Sequence, residues 1–187
     1  MESGAQTFTS PQRPTGWFGL AIVAVLLALT FYDGNSYGHL AFASGVLLFG
    51  AVIVAVYLRP AVLLREEHLL VRNALSDVTI PWGAIESVRV RHVLELDVGE
   101  RVVRALAFGR TPRQQRRHAT ASLTPRDPVR DEVDYTEWVV DRIRAVAADH
   151  GRTGETEVTS GWRWPEIAVL VGLAVLTVAL TALAALA

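Results

Sequence analysis

Hydrophobic positions in this chain follow two patterns. From Gly16 to Tyr32, from His39 to Leu58 and from Trp164 to Leu186 they run almost without interruption. Between Arg59 and His150 they come in short runs or alternate with polar residues. A helix rises about 1.5 Å per residue, so about twenty consecutive apolar residues cross a bilayer core. The pattern therefore predicts transmembrane helices over the three long runs, the first two joined as a hairpin by the turn-forming Asp33-Gly34-Asn35-Ser36. Arg13 ahead of the first run is also compatible with a signal peptide. No small-x-small cleavage site follows, however, and a second apolar run does, so the first segment is read as retained. Small residues spaced four apart, Ala41/Gly45 and Ala51/Ala55, permit close helix approach.

The middle of the chain reads as strands. Val62-Leu63-Leu64, Leu69-Leu70-Val71 and Val78-Thr79-Ile80 are separated by Arg65-Glu66-Glu67 and Arg72-Asn73. Pro81, which has no N–H for a sheet ladder, ends the third. Val88, Val90, His92, Leu94, Leu96 and Val98 then share one parity, and Arg89, Arg91, Glu95 and Asp97 the other, which predicts one long or bent strand with a single apolar face. Gly99-Glu100 offers a two-residue turn, and Arg101 to Phe108 returns antiparallel. That register sets Leu96 opposite Val103, Leu94 opposite Ala105 and Glu95 opposite Arg104, giving apolar pairs on one face and a charge-matched pair on the other. Residues 109–130 lack periodicity and read as a loop, with one short strand near Ala119–Leu123. Asp134-Tyr135-Thr136-Glu137 has the form of a capping box. The helix it opens aligns Tyr135, Val139, Ile143 and Val146, with Gly151 suited to end it.

The fold class is thus α+β: an antiparallel β-domain over residues 59–150 closed by a C-terminal helix, with a membrane hairpin over 16–58 and a third span over 164–187. Residues 1–15 read as a disordered tail and 151–163 as a linker, flexible through Gly161.

Composition adds orientation and excludes some chemistry. Net charge over the 187 residues is −1, which gives no reason to expect a nucleic-acid partner. All 18 basic side chains are arginine, which rules out a lysine Schiff base, and the absence of cysteine rules out thiol chemistry. Arg13, Arg59, Arg65, Arg152 and Arg163 fall on one side of the predicted topology. The positive-inside rule then puts the N-terminus and the β-domain in the cytoplasm and the C-terminus outside, in a multi-pass cell-membrane protein. Trp17, Tyr57, Trp162 and Trp164 would form the inner aromatic belt, and Tyr32 and Tyr37 the outer one.

Arg59-Pro60, Leu69-x-Val71-Arg72-Asn73, Ile80-Pro81-Trp82 and Ile85-x-x-Val88 resemble the bacterial PH-like domain family of small actinobacterial membrane proteins of the low-molecular-weight antigen type. The resemblance covers roughly residues 59–108. His68 stands where a small turn residue is usual, and the third span is an addition. It implies a pleckstrin-homology-like, partly open β-barrel with a helix closing one end, behind a two-helix membrane hairpin, and no established enzymatic activity.

Candidate chemistry is sparse. Trp82 is read as a structural anchor plugging the domain rather than as a binding residue. His92 on an apolar parity and Glu66-Glu67-His68 on a tight turn lack the converging ligands that a metal needs. Arg101, Arg104, Arg110, Arg113, Arg116 and Arg117 form the one notable cluster. Arginine forks bind phosphate and carboxylate bidentately, so these residues are the candidate contact for an anionic lipid or an acidic partner, set against a balanced, solvated loop. No catalytic motif, cofactor site or metal site is present in the sequence pattern. The leading expectation is a non-enzymatic, membrane-tethered scaffold docking a membrane or membrane-associated protein. Lipid-headgroup binding comes second. A membrane enzyme comes third, and would need His68, His92 or His118 to meet acids in a pocket.

Overall fold

The computed structural model describes residues 6–32, 36–90, 93–99, 101–108, 135–150 and 157–186. Two compact units emerge, one built mainly of strands and one of apolar helices. The strand unit is α+β and antiparallel throughout its paired strands. Its strands are β1 (Gln6–Thr9), β2 (Ala61–Leu64), β3 (His68–Arg72), β4 (Ser76–Pro81), β5 (Ser87–Val90), β6 (Leu94–Val98), β7 (Arg101–Ala105) and β8 (Thr159–Trp162). They form one five-stranded sheet in the order β1-β2-β3-β4-β8 and one three-stranded sheet in the order β5-β6-β7. Among the described residues neither sheet closes into a barrel.

Register explains which residues are buried. Phe8, Val62, Val71 and Val78 form a row across the first sheet, and Leu64, Leu69 and Ile80 form the next. In the second sheet Val88–Leu96–Val103 and Val90–Leu94–Ala105 form the equivalent rows. Helix α3 (Tyr135–His150) adds Val139, Val140 and Ile143 to the same cluster. Full burial of side chains of this size stabilises by about 1.5–3 kcal/mol each. The β6–β7 pairing places Leu96 opposite Val103, Leu94 opposite Ala105 and Glu95 opposite Arg104, as the alternation predicts. Gly99 makes the turn at φ +57°, a region where a Cβ would be strained.

Three elements differ from the sequence expectation. The run from Val88 to Val98 is a hairpin rather than one strand, folding back so that Val90 faces Leu94. Paired positions in it differ by an even number of residues, so the alternation passes through the reversal unchanged. The expected N-terminal tail holds a strand at Gln6–Thr9, paired with β2 and anchored by buried Phe8. Part of the expected linker, Thr159–Trp162, is an edge strand beside β4. The expected strand near Ala119–Leu123, the cap at Asp134 and the stop at Gly151 lie outside the described residues.

The helical unit contains α1 (Arg13–Tyr32), α2 (Tyr37–Ile53) continued by a π-helical turn over Val54–Leu58, and α4 (Trp164–Leu186). All three are long and apolar enough to cross a membrane. Ser36 caps α2, its hydroxyl accepting the N–H of His39. The π turn closes with Arg59 N–H on the carbonyl of Val54 at 3.0 Å, and Pro60 stops the helix. Arg13 Nη2 caps the Leu58 carbonyl at 3.0 Å, placing a cation where the helix dipole is negative. Residues Ala74–Ser76 belong to this unit. Ala74 O accepts Arg59 Nη1 at 2.6 Å, and Leu75 O accepts the Arg163 N–H at 3.0 Å. Arg13, Arg59 and Arg163 therefore gather at one end of the helices.

Glycines set the helix spacing. A Cβ on Gly16 would lie 2.8 Å from Tyr57 Cβ, and one on Gly50 would lie 3.1 Å from Val23 Cγ1. Gly172 has nothing within 4 Å. Alanine gains up to about 1 kcal/mol over glycine in a helix interior, whereas overpacking loses about 1–3 kcal/mol. Gly16→Ala should therefore lower the thermal midpoint of the full-length protein in detergent by several degrees, and Gly172→Ala should hold or raise it. Equal effects would refute close packing at Gly16. In the strand unit, Ile143→Ala should destabilise by about 2–5 kcal/mol. Hydrogen exchange of the β3 and β6 amides should then rise more than about tenfold, while Asp141→Ala, on the exposed side of α3, should leave it nearly unchanged.

Candidate functional site

Among the described residues, two open sheets present four edges: β1 and β8 on the first, β5 and β7 on the second. An uncovered edge offers backbone N–H and C=O groups to another chain. At β5, α3 lies alongside and Arg144 Nη2 donates to the outward carbonyl of Val88 at 2.7 Å. At β1, Trp138 packs edge-on against Phe8 with ring centroids 5.5 Å apart, and Arg142 Nε donates to Gln6 Oε1 at 3.3 Å. Helix α3 thus occupies an edge carbonyl at β5, whereas at β1 its contacts are to side chains of the strand.

The β7 edge is different. Asn73, just past the end of β3, donates from Nδ2 to Arg104 O at 2.9 Å and accepts the N–H of Leu106 on Oδ1 at 2.9 Å. Its carboxamide makes the donor and acceptor contacts that the N–H and C=O of one residue in a neighbouring strand would make. Those bonds also fix the parity of the edge. In an antiparallel pair, alternate residues turn their backbone groups toward and away from the partner. Arg104 and Leu106 face away from β6, so Val102, two residues before Arg104, does too. Val102 and Arg104 both line a groove of about 390 Å³. Val78 and Val158 add apolar lining to it, and Asn73 and Ser160 polar lining.

Arg101 and Arg104, both lining this groove, stand on opposite faces of β7 by strand alternation. Arg104 Nε reaches Glu95 Oε1 at 3.3 Å across the sheet, yet the arginine side chain remains 68% exposed. Contacts this open are weak, so the guanidinium stays available to a second acceptor. Val102 is 52% exposed between the two arginines. The other expected arginines, Arg110, Arg113, Arg116 and Arg117, lie outside the described residues.

The remaining expected positions separate. Trp82 is 2% exposed, its Nε1 donating to Arg65 O at 2.9 Å and its ring stacked on His150 at 5.8 Å. A surface ligand cannot reach that ring. His68 lies on β3 opposite Pro81, while Glu66 and Glu67 point to solvent in the β2–β3 turn. Among the described residues no group of three or more metal-type side chains converges; His92 and His118 fall outside them. In the helical unit, a second cleft of about 420 Å³ is lined by Leu26, Leu29, Phe42 and the Ser36–His39 pair, whose side chains are 2.6 Å apart. There the serine hydroxyl is committed to capping α2.

Sequence reasoning missed Asn73, Val102, Val158 and Ser160. Asn73 reads as a turn residue, and only a partner edge distant in sequence gives its carboxamide a second use. Comparison with family models, with curated proteins and with solved structures finds no match, so the β7 groove is read from its own geometry.

Proposed function

We propose that this protein is a non-enzymatic, membrane-tethered binding module, a PH-like domain on three membrane spans that docks a protein partner at the cytoplasmic face. Among the described residues the β7 edge is open, and this edge carries the reading. An edge whose groove is lined by valines and two exposed arginines suits recognition of a polypeptide, whose backbone can continue the sheet. The PH-like assignment draws support from two antiparallel sheets and one amphipathic helix that contributes to their shared core. The cytoplasmic orientation draws support from Arg13, Arg59 and Arg163 at one end of the helical unit.

Purification of the full-length protein from its native membrane in mild detergent should recover a second polypeptide in stoichiometric amount. Recovery of the chain alone with anionic lipid retained would transfer the role to headgroup binding by the arginines. Orientation has a separate test in this cysteine-free chain. With Ser36→Cys, intact cells should react with a membrane-impermeant maleimide; with Glu67→Cys they should react only after lysis. The reverse pattern would invert the topology.

A further inference from the structure

We infer that the β7 edge binds an extended, acidic segment of a partner protein by strand addition, with Asn73 setting where the added strand ends. The inference rests on the docking reading above and names the partner's chemistry.

Three observations converge on it. First, the backbone groups are aimed correctly. Val102 offers an outward N–H and C=O and Arg104 an outward N–H, the set with which a β-strand pairs. Second, the edge already accepts an amide. The Asn73 carboxamide makes the paired donor and acceptor contacts of a strand at Arg104 O and Leu106 N–H, both at 2.9 Å. An added strand therefore runs along Arg101–Arg104 and stops at Asn73. Third, charge selects the strand. Two arginines line the groove and, among the described residues lining it, no carboxylate does. Because Arg101 and Arg104 flank the edge on opposite faces, acidic side chains on either face of the incoming strand meet a guanidinium, and an intervening aliphatic side chain meets Val78, Val102 or Val158. A basic strand would set like charges across the new ladder, which is destabilising.

Two peptide libraries test this, each about six residues long, the usual strand length. Val, Ile and Thr alternate with Asp or Glu in one and with Lys or Arg in the other. The target is the full-length protein in phosphatidylcholine nanodiscs. The acidic library should bind about tenfold more tightly or better. In the tightest acidic peptide, N-methylation of one alternate set of amides should abolish binding and of the other set leave it intact, because only one set faces β7. Val102→Pro removes an outward N–H without breaking the β6 ladder, and should weaken binding about tenfold. Arg101→Glu with Arg104→Glu should reverse the library preference.

Equal binding of the two libraries, or indifference to which amides are methylated, would overturn the inference, and the methylation result needs no altered protein. Should neither library bind while a co-purifying polypeptide is retained by the Val102→Pro protein, docking stands and the β7 assignment fails. Should no polypeptide co-purify and phosphatidylglycerol vesicles alone bind in an Arg101- and Arg104-dependent way, the docking reading fails with it.

Discussion

Packing of α3 against two open sheets is the constraint on which the strand unit depends. Each sheet has one apolar face, carried by the Phe8–Val62–Val71–Val78 row in the first and the Val88–Leu96–Val103 row in the second. Neither curls far enough to bury that face within itself. Val139, Val140 and Ile143 complete the cluster that both faces share, and Ile143 is fully buried. Ordering the chain is opposed by a conformational entropy comparable to all that burial supplies, so a helix contributing several fully buried side chains decides whether the unit is stable. The same helix supplies Arg144 to the Val88 carbonyl and Trp138 to Phe8. Closing the core and covering the β5 edge are one event.

What the sequence made legible follows from the range over which each signal acts. The β6–β7 register was readable to the residue because alternation, a turn glycine and the Glu95–Arg104 pair all lie within a dozen positions. The β5–β6 reversal was not, since a hairpin that preserves parity leaves the pattern of a straight strand. β1 and β8 were missed for another reason. They are short edge strands: Gln6-Thr7-Phe8-Thr9 buries one large side chain, and every residue of Thr159–Trp162 is exposed. Burial is what writes periodicity into a strand, and these bury too little to carry it.

The helical unit shows the same division. The length and hydropathy of its three spans were plain in the sequence because each is a local property. Which small residues make contacts was not. Gly45 does face a neighbouring helix, its absent Cβ lying 3.7 Å from Thr177 of α4. The tightest approaches, however, fall at Gly16, Gly19 and Gly50, which share no single four-residue spacing within one helix. Spacing alone ranks candidates, while contact depends on which faces meet.

The β7 groove lies between these extremes, half legible and half not. Once the β6–β7 register is known, the outward parity of Val102 follows. That β5 is covered while β7, among the described residues, is not depends on α3, which begins thirty residues beyond the end of β7. The arginines then acquire a second consequence. A bare edge strand is a hazard because it can pair with its own copy, and charge is a common defence. In antiparallel pairing of β7 with a second β7, the register decides whether the two Arg101 or the two Arg104 side chains become opposite or diagonal neighbours, and either juxtaposes like charges. An acidic strand meets the reverse condition at the same positions. The two side chains that keep this edge from closing on itself also determine what it admits, so protection against self-association and specificity for a partner arise here from a single arrangement of charge.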